Sequence, residues 1–216
     1  MTAANPEASF DDKVGVVRRG NDNAKRFEMA QQQWMDLTDQ GGGYGVAILN
    51  DCKYGADKPD DRTLRLTLLY TPGTRGGVPD QGTQDQGRHE VLYALAPHSG
   101  DWIKGRTPWQ AVRLNQPLRA FLPATHPGPL GRTFSLLSLG SDQAQIVAVK
   151  KAEDSNEIVV RVKELTGRPA TGLTLKFPTA LKSAREVDAQ ERSMGGVAVN
   201  NGALVFDIRE IGRAHV

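Results

Sequence analysis

Apolar and polar positions alternate with a period of two along most of the chain, the pattern expected of strands with one face buried. Tyr44-Gly-Val-Ala-Ile-Leu49 is a short apolar run, opened by a triple glycine and closed by Asn50-Asp51. Leu64, Leu66 and Leu68 alternate with Arg65 and Thr67, and Val91, Tyr93 and Leu95 repeat the period. Ile146-Val-Ala-Val149 and Ile158-Val-Val-Arg-Val162 follow, and the charged connector between them reads as a hairpin loop. Leu173, Leu175 and Phe177 alternate again and stop at Pro178. Near the end, Val197-Ala-Val199 and the set Leu204, Phe206, Ile208 flank Asn200-Asn-Gly202. Asn-Gly accepts the positive φ of a type I′ turn, so this segment predicts a tight hairpin. Helical periodicity is scarce, with Leu181 to Arg192 as the best candidate. Many short strands with turns between them, and no βαβ alternation, predict an all-β protein built as an antiparallel β-sandwich.

Turn-rich stretches divide the chain. Phe121 to Gly131 is dense in proline and glycine and reads as a linker or inter-sheet crossing. The expected organisation has residues 1–24 as a poorly structured or partial lead-in and 25–120 as the main sandwich. Residues 121–131 form the crossing, 132–209 further but incomplete strands with a second, smaller sandwich begun near residue 132, and 210–216 an unrelated tail. Thr71 to Gln86 has almost no apolar residues and reads as a long exposed loop.

Charge narrows the choice of partner. Lys and Arg total 27 against 25 Asp and Glu, a net +2 with no basic cluster. This gives no electrostatic case for nucleic acid or for an acidic membrane surface. No apolar run approaches the ~20 residues that span a bilayer, and Met1 to Lys13 lacks the apolar core of a signal peptide. One cysteine, Cys52, excludes an internal disulfide and favours a cytoplasmic, reducing setting.

No zinc-protease, phosphate-loop or nucleophile-elbow motif is present. Two polar clusters sit at strand ends. Asn50-Asp-Cys-Lys-Tyr-Gly55 offers the carboxylate of Asp51, the ammonium of Lys53 and the phenol of Tyr54, group types that hydrogen-bond sugar hydroxyls. The bland reading is a turn capped by Asn and Asp. Asp85-Gln-Gly-Arg-His-Glu90 supplies Asp85, Arg88 and His89 beside Glu90, and its bland reading is an ion pair at a strand entrance. His98, after Pro97 and before Ser-Gly-Asp101, reads as a turn residue, and the four scattered histidines show no zinc-ligand spacing. Trp34, Trp102 and Trp109 either stack on sugar rings or plug a core.

These clusters fall within a longer pattern. Arg26-Phe-Glu28, Trp34-Met-Asp-Leu37, Gly43-Tyr-Gly-Val-Ala-Ile-Leu-Asn-Asp-Cys-Lys-Tyr-Gly55, Leu64-Arg-Leu-Thr-Leu-Leu69, Asp85-Gln-Gly-Arg-His-Glu90 and Tyr93-Ala-Leu-Ala-Pro-His98 occur in this order. Together they resemble the carboxy-terminal region of glycoside hydrolase family 38 α-mannosidases, in their cytosolic and bacterial branch. The segments Thr133 to Leu139, Arg161 to Leu165 and Ala203 to Arg209 resemble later strands of that region more diffusely. The Gly-rich stretch Thr71 to Gln84 departs from the shorter loop of the family.

The resemblance implies a retaining hydrolase of terminal α-mannosides, working through an aspartate nucleophile and a second carboxylate. It implies a zinc ion in the full-length enzyme and none bound by this chain. The zinc ligands and catalytic groups would sit on an amino-terminal barrel of the same polypeptide, so no catalytic or metal residue is assigned here. The expected partners are that barrel and a mannoside or oligomannoside, and the chain is expected to be cut at both ends and inactive alone. Asp51, Lys53, Tyr54, Asp85, Arg88 and His89 are then expected along the substrate cleft. Two rival readings are a freestanding carbohydrate-binding sandwich with Trp102 or Trp109 as its platform, and a purely structural sandwich.

Overall fold

The computed structural model describes residues 4–41, 43–70 and 87–209, and the backbone of 213–215. These residues cluster into two compact units, one within residues 1–13 and 17–119, the other within 14–16 and 120–216.

The first unit is organised by a five-stranded sheet. Its strands are β1 (Glu7–Asp11), β2 (Val16–Gly20), β4 (Trp34–Thr38), β5 (Tyr44–Asn50) and β8 (Tyr93–Ser99), in the order β2-β1-β4-β5-β8. A smaller sheet joins β3 (Met29–Ala30), β6 (Gly55–Asp57) and β7 (Arg65–Leu66). A helix, α1 (Thr107–Asn115), follows β8. Antiparallel pairing sets Trp34 opposite Leu49 and Thr38 opposite Gly45, then Tyr44 opposite Ser99 and Asn50 opposite Tyr93.

This register sorts the side chains by face. One face carries Ala8, Phe10, Met35, Leu37 and Ile48, which form a core with Met29, Ala56, Leu64 and Leu66 of the small sheet and its approaches. The opposite face carries Trp34, Ala47 and Leu49, all buried. Trp102 stacks on Trp34 there with ring centroids 5.2 Å apart, and α1 packs against β5. The helix presents Thr107 and Ala111 inward, a stripe narrow enough for close approach.

Glu7–Asp11 and Val16–Gly20 are therefore strands of the main sheet, within the stretch expected to be a poorly structured or partial lead-in. The alternation of Ala8 and Phe10 with polar residues is too short to stand out in sequence, yet it buries Phe10 completely. The helix also lies elsewhere than periodicity suggests. Within Leu181 to Arg192 the chain forms a strand and a turn, whereas α1 starts at Thr107-Pro108, where the fixed φ of proline suits a first turn. Only two of its nine residues are buried, so no apolar stripe announces it.

A buried cation sits among the loops of this unit. Lys58 is fully buried, and its ammonium donates to the Asn21 side chain and, at 2.7 Å, to the Asp60 carbonyl. Burial lowers its pKa from the ordinary lysine value, opposed by the carboxylates of Asp61, Asp60 and Asp22.

The second unit is a smaller sandwich. The remaining strands are β9 (Ser138–Leu139), β10 (Ala144–Lys151), β11 (Ile158–Glu164), β12 (Ala170–Lys176), β13 (Ala184–Val187), β14 (Ser193–Val197), β15 (Val199–Asn200), β16 (Ala203–Ile208) and β17 (Arg213–His215). They form sheets of order β10-β11-β17 and β15-β16-β12-β9, with β13-β14 as a separate hairpin. Val160 and Val162 from one sheet meet Leu173, Leu175, Leu204 and Ile208 from the other in a single core. The β10–β11 connector is a hairpin loop closed by the Ala152 N–H donating to the Glu157 carbonyl at 2.9 Å. Asn200 pairs with Ala203, leaving Asn201 and Gly202 as a two-residue turn with φ of 49° and 76°. Both values are positive, as a type I′ turn requires. The architecture is the antiparallel β-sandwich that the alternation predicts.

Two stability outcomes follow from this packing. Phe10→Ala removes a fully buried ring and should cost about 3–5 kcal/mol in chemical denaturation, with an unchanged denaturant slope. A loss under about 1 kcal/mol would mean that the site collapses around the smaller side chain. At Gly202 an added Cβ meets open space, so Gly202→Ala tests backbone strain alone. It should cost about 1 kcal/mol, and an unchanged melting curve would contradict the left-handed turn.

Candidate functional site

The described part of the second polar cluster leads into β8 at the same end of the five-stranded sheet where the first leaves β5. Asp51 follows the last residue of β5, and Arg88, His89 and Glu90 precede the first residue of β8. Because β5 and β8 are antiparallel, the end of one lies beside the start of the other, and the Asp51 N–H donates to the Leu92 carbonyl at 3.2 Å. Asp85 lies outside the described residues, as does the Gly-rich departure from the family pattern.

Buried amides pin the first cluster. Gln31 and Asn50 are both fully buried, and the Asn50 amide donates to Gln31 Oε1 at 3.0 Å. The Gln31 amide in turn donates to the Lys53 carbonyl, and its N–H to the Tyr54 carbonyl at 2.9 Å. Asn50 Oδ1 accepts the Lys53 N–H at 2.8 Å. From the last residue of α1, Asn115 donates to the Asn50 carbonyl at 3.0 Å. Three backbone groups of the loop and strand end are thus tied to the side chains of Gln31, Asn50 and Asn115, and a fourth, the Tyr54 carbonyl, to the Gln31 backbone. The loop backbone is held, while Asp51 and Tyr54 project into solvent and Lys53 is half-buried. Each buried amide left unpaired would cost about 1–3 kcal/mol, which is why these residues act as a set.

Cys52 sits beside Asp51 and is exposed. Its thiol is raised above the ordinary cysteine value, first by hydrogen bonding to Asp51 and then by desolvation and the Asp51 charge. A protonated thiol is a poor nucleophile, so Cys52 has no catalytic environment. In the second cluster Arg88 pairs with Glu90, but its side chain is 85 % exposed. Exposure of that order makes the pair worth little in stability and leaves the guanidinium accessible to a ligand.

Sequence reading misplaced a third group. His98 is a strand residue with a nearly buried side chain, not a turn residue, and its Nε2 lies 2.6 Å from Asp36 Oδ2. Asp36 also accepts the Thr38 hydroxyl at 2.8 Å. The imidazole fits because Gly45 stands directly opposite in β5 and Gly105 follows in the next loop; a Cβ at either would overlap the ring. The glycine opposite His98 was the available signal, but only the strand register reveals it. This dyad braces the interior of the sheet and does not face the exposed clusters.

Trp34 and Trp102 serve the core: Trp102 is 7 % exposed and stacked on Trp34, so it offers no sugar platform, whereas Trp109 in α1 is half-buried. Among the described residues no three His, Cys, Asp or Glu side chains converge as metal ligands. None of the candidate site residues singled out from sequence lines a cavity of about 530 Å³ within the second unit. That cavity is walled by Leu136, Val149, Ile158, Phe177 and Leu204, and two of its polar side chains, Arg185 and Glu157, pair with each other at 2.5 Å. No described helix is long and apolar enough to cross a membrane.

Comparison with known proteins agrees with this architecture. Residues 1–80 match the glycosyl hydrolases family 38 C-terminal domain, and residues 143–211 match the family 38 C-terminal beta sandwich domain. Human alpha-mannosidase 2C1 is 41 % identical over 145 residues, covering 66 % of this chain and 13 % of that protein. Alpha-mannosidase G of Dictyostelium discoideum is 33 % identical over 150 residues, 68 % of this chain and 13 % of its own length. A family 38 protein of Enterococcus faecalis superimposes with a TM-score of 0.79 over 99 % of this chain and 25 % of that one, at 23 % identity, a likeness of fold. The chain thus spans about an eighth of the curated relatives it matches. It belongs to the carboxy-terminal region of glycosyl hydrolase family 38.

Proposed function

We propose that this chain is the carboxy-terminal β region of a cytoplasmic α-mannosidase that hydrolyses terminal α-mannosides of glycans with retention. The observation that supports this reading is that Asp51 to Tyr54 and Arg88 to Glu90 flank the same end of the β5–β8 pair, in a chain of this family. In this account the nucleophile, the acid/base carboxylate and the zinc belong to an amino-terminal catalytic part of the polypeptide. Among the described residues no group of His, Cys, Asp and Glu side chains fits a metal ion. Hydrolysis by the isolated chain is not expected.

The chain's own contribution is to orient the substrate. Tyr54 and Arg88 are exposed and carry donors that suit sugar hydroxyls. Lys53 and Asp51 stand on the loop held by Gln31 and Asn50, so their positions cost little further ordering on binding. His89 and Asp85 complete the proposed set on the second cluster. The human relative named alpha-mannosidase 2C1 supports the substrate class. A single exposed cysteine suits a reducing compartment.

The test is a chimera in which this chain replaces the superimposing quarter of the Enterococcus faecalis protein, assayed on an aryl α-mannoside. The chimera should hydrolyse the substrate. Arg88→Ala and Tyr54→Phe should each raise KM about tenfold, the worth of one good hydrogen bond, with little change in kcat. Unchanged KM in both variants would remove these residues from the substrate cleft. A separate outcome concerns the chain alone, which should release no aryl alcohol; turnover by the purified chain would overturn the division of labour.

A further inference from the structure

Among the described residues, the hairpin β13–β14 pairs with no other strand of the second unit. Side chains tether it instead. Arg185 of β13 pairs with Glu157 at 2.5 Å, and Glu191, in the turn of the hairpin, pairs with Lys150 of β10 at 2.8 Å. Glu191 also accepts the Glu153 N–H at 2.9 Å. The hairpin is thereby clamped to the loop that joins β10 and β11. Arg185, Glu157 and Glu191 all border the cavity of about 530 Å³, a size typical of small-molecule pockets.

Apart from these rim groups the wall is mostly aliphatic. Leu204 is buried and belongs to the core between the two sheets, and Phe177 and Leu181 pack against that core. The cavity is therefore an opening into the sandwich interior. Leu136 and Ile158 border it too and stay 60 % and 57 % exposed, so its entrance is apolar as well. Its charged groups are largely spent on one another: Arg185 on Glu157, and Glu191 on Lys150. Lys182 and Ser183, on the approach to β13, are different. Both line the cavity, and neither side chain bonds to a described residue.

We propose that this cavity binds a medium-chain aliphatic carboxylate, with its alkyl chain against Leu136, Ile158, Phe177 and Leu204 and its carboxylate on Lys182. The site is separate from the proposed mannoside groups and does not depend on them. Three features choose this chemistry. An alkyl chain asks for no hydrogen bonds, which suits a wall whose rim charges already satisfy one another. An anionic head suits Lys182, whose ammonium is uncommitted, with the Ser183 hydroxyl beside it as a second donor. A sugar, or a polypeptide segment with its backbone N–H and C=O groups, would bring many polar atoms to a wall that offers them few partners. Occupancy fills the opening beside Leu204 and stabilises the folded second unit by mass action.

The experiment is calorimetric titration of the chain with dodecanoate, decanoate and dodecanol, each below its micellar concentration. Dodecanoate should bind saturably, and decanoate about fifteenfold more weakly, the worth of two buried methylenes. Lys182→Ala should weaken dodecanoate about fivefold, as loss of an exposed ion pair does, and leave dodecanol unchanged. Ala184→Trp fills the cavity from its wall and should abolish binding. A measurement that needs no substitution guards against misfolding of that variant. Dodecanoate with a nitroxide at its methyl end should broaden the methyl resonances of Leu136, Ile158 and Leu204 and spare those of Leu37 and Ile48 in the first unit. Absence of saturable binding overturns the proposal, as does binding indifferent to chain length or broadening confined to the first unit. A dimer of the chain that Ala184→Trp dissociates also overturns it, since the cavity then takes a polypeptide.

Discussion

The pairing of β5 with both of its neighbours is the constraint on which the first unit depends. β5 is hydrogen-bonded to β4 on one side and β8 on the other, and it has apolar neighbours on both faces. A slip of one residue would turn Ala47 and Leu49 toward the small sheet and Ile48 toward the helix. It would also move Gly45 from opposite His98, where only glycine leaves room for the imidazole. Packing and polar pairing therefore demand the same register. That agreement makes the arrangement cooperative rather than merely compatible.

The buried polar groups explain why this sheet is well shaped. An amide or carboxylate taken out of water needs partners, and here each finds them far away in sequence. His98 and Asp36 are separated by 62 residues, Asn115 and Asn50 by 65. Such pairs form only after the strands have come together, so they refine a fold whose outline hydrophobic burial has already set. The exposed groups of the proposed site inherit that rigidity without contributing to it. Asp51 and Tyr54 sit on a backbone fixed by Gln31 and Asn50 and stay free to meet a ligand.

Much of the second unit was legible in the residues themselves. Its main strands, β10, β11, β12 and β16, are long and are punctuated by loops whose chemistry is local. Asn201-Gly202 specifies its turn with two residues, and the turn then sets the pairing of β15 with β16. The first unit was harder to read. β1 and β2 are short and polar at their ends, β7 shrinks to two residues, and α1 has only two buried side chains. None of these carries enough periodic signal to outweigh its neighbours. The residues chosen for possible chemistry were visible because they cluster in sequence; Gln31, Asp36 and Asn115 were not, because their partners do not.

By itself, the sequence determined the all-β class, the positions of the longer strands, the type of the closing hairpin and the family resemblance. Each of these depends on local alternation, on turn residues or on ordered short motifs. Only the tertiary structure decided which face of each strand is covered, where the helix lies, and which polar residues are buried in pairs. The physical reason is that a period of two says the faces of a strand differ, without saying what lies against either. In β8 that difference is resolved by packing, with alanines toward the interior and Tyr93 and Leu95 left facing out.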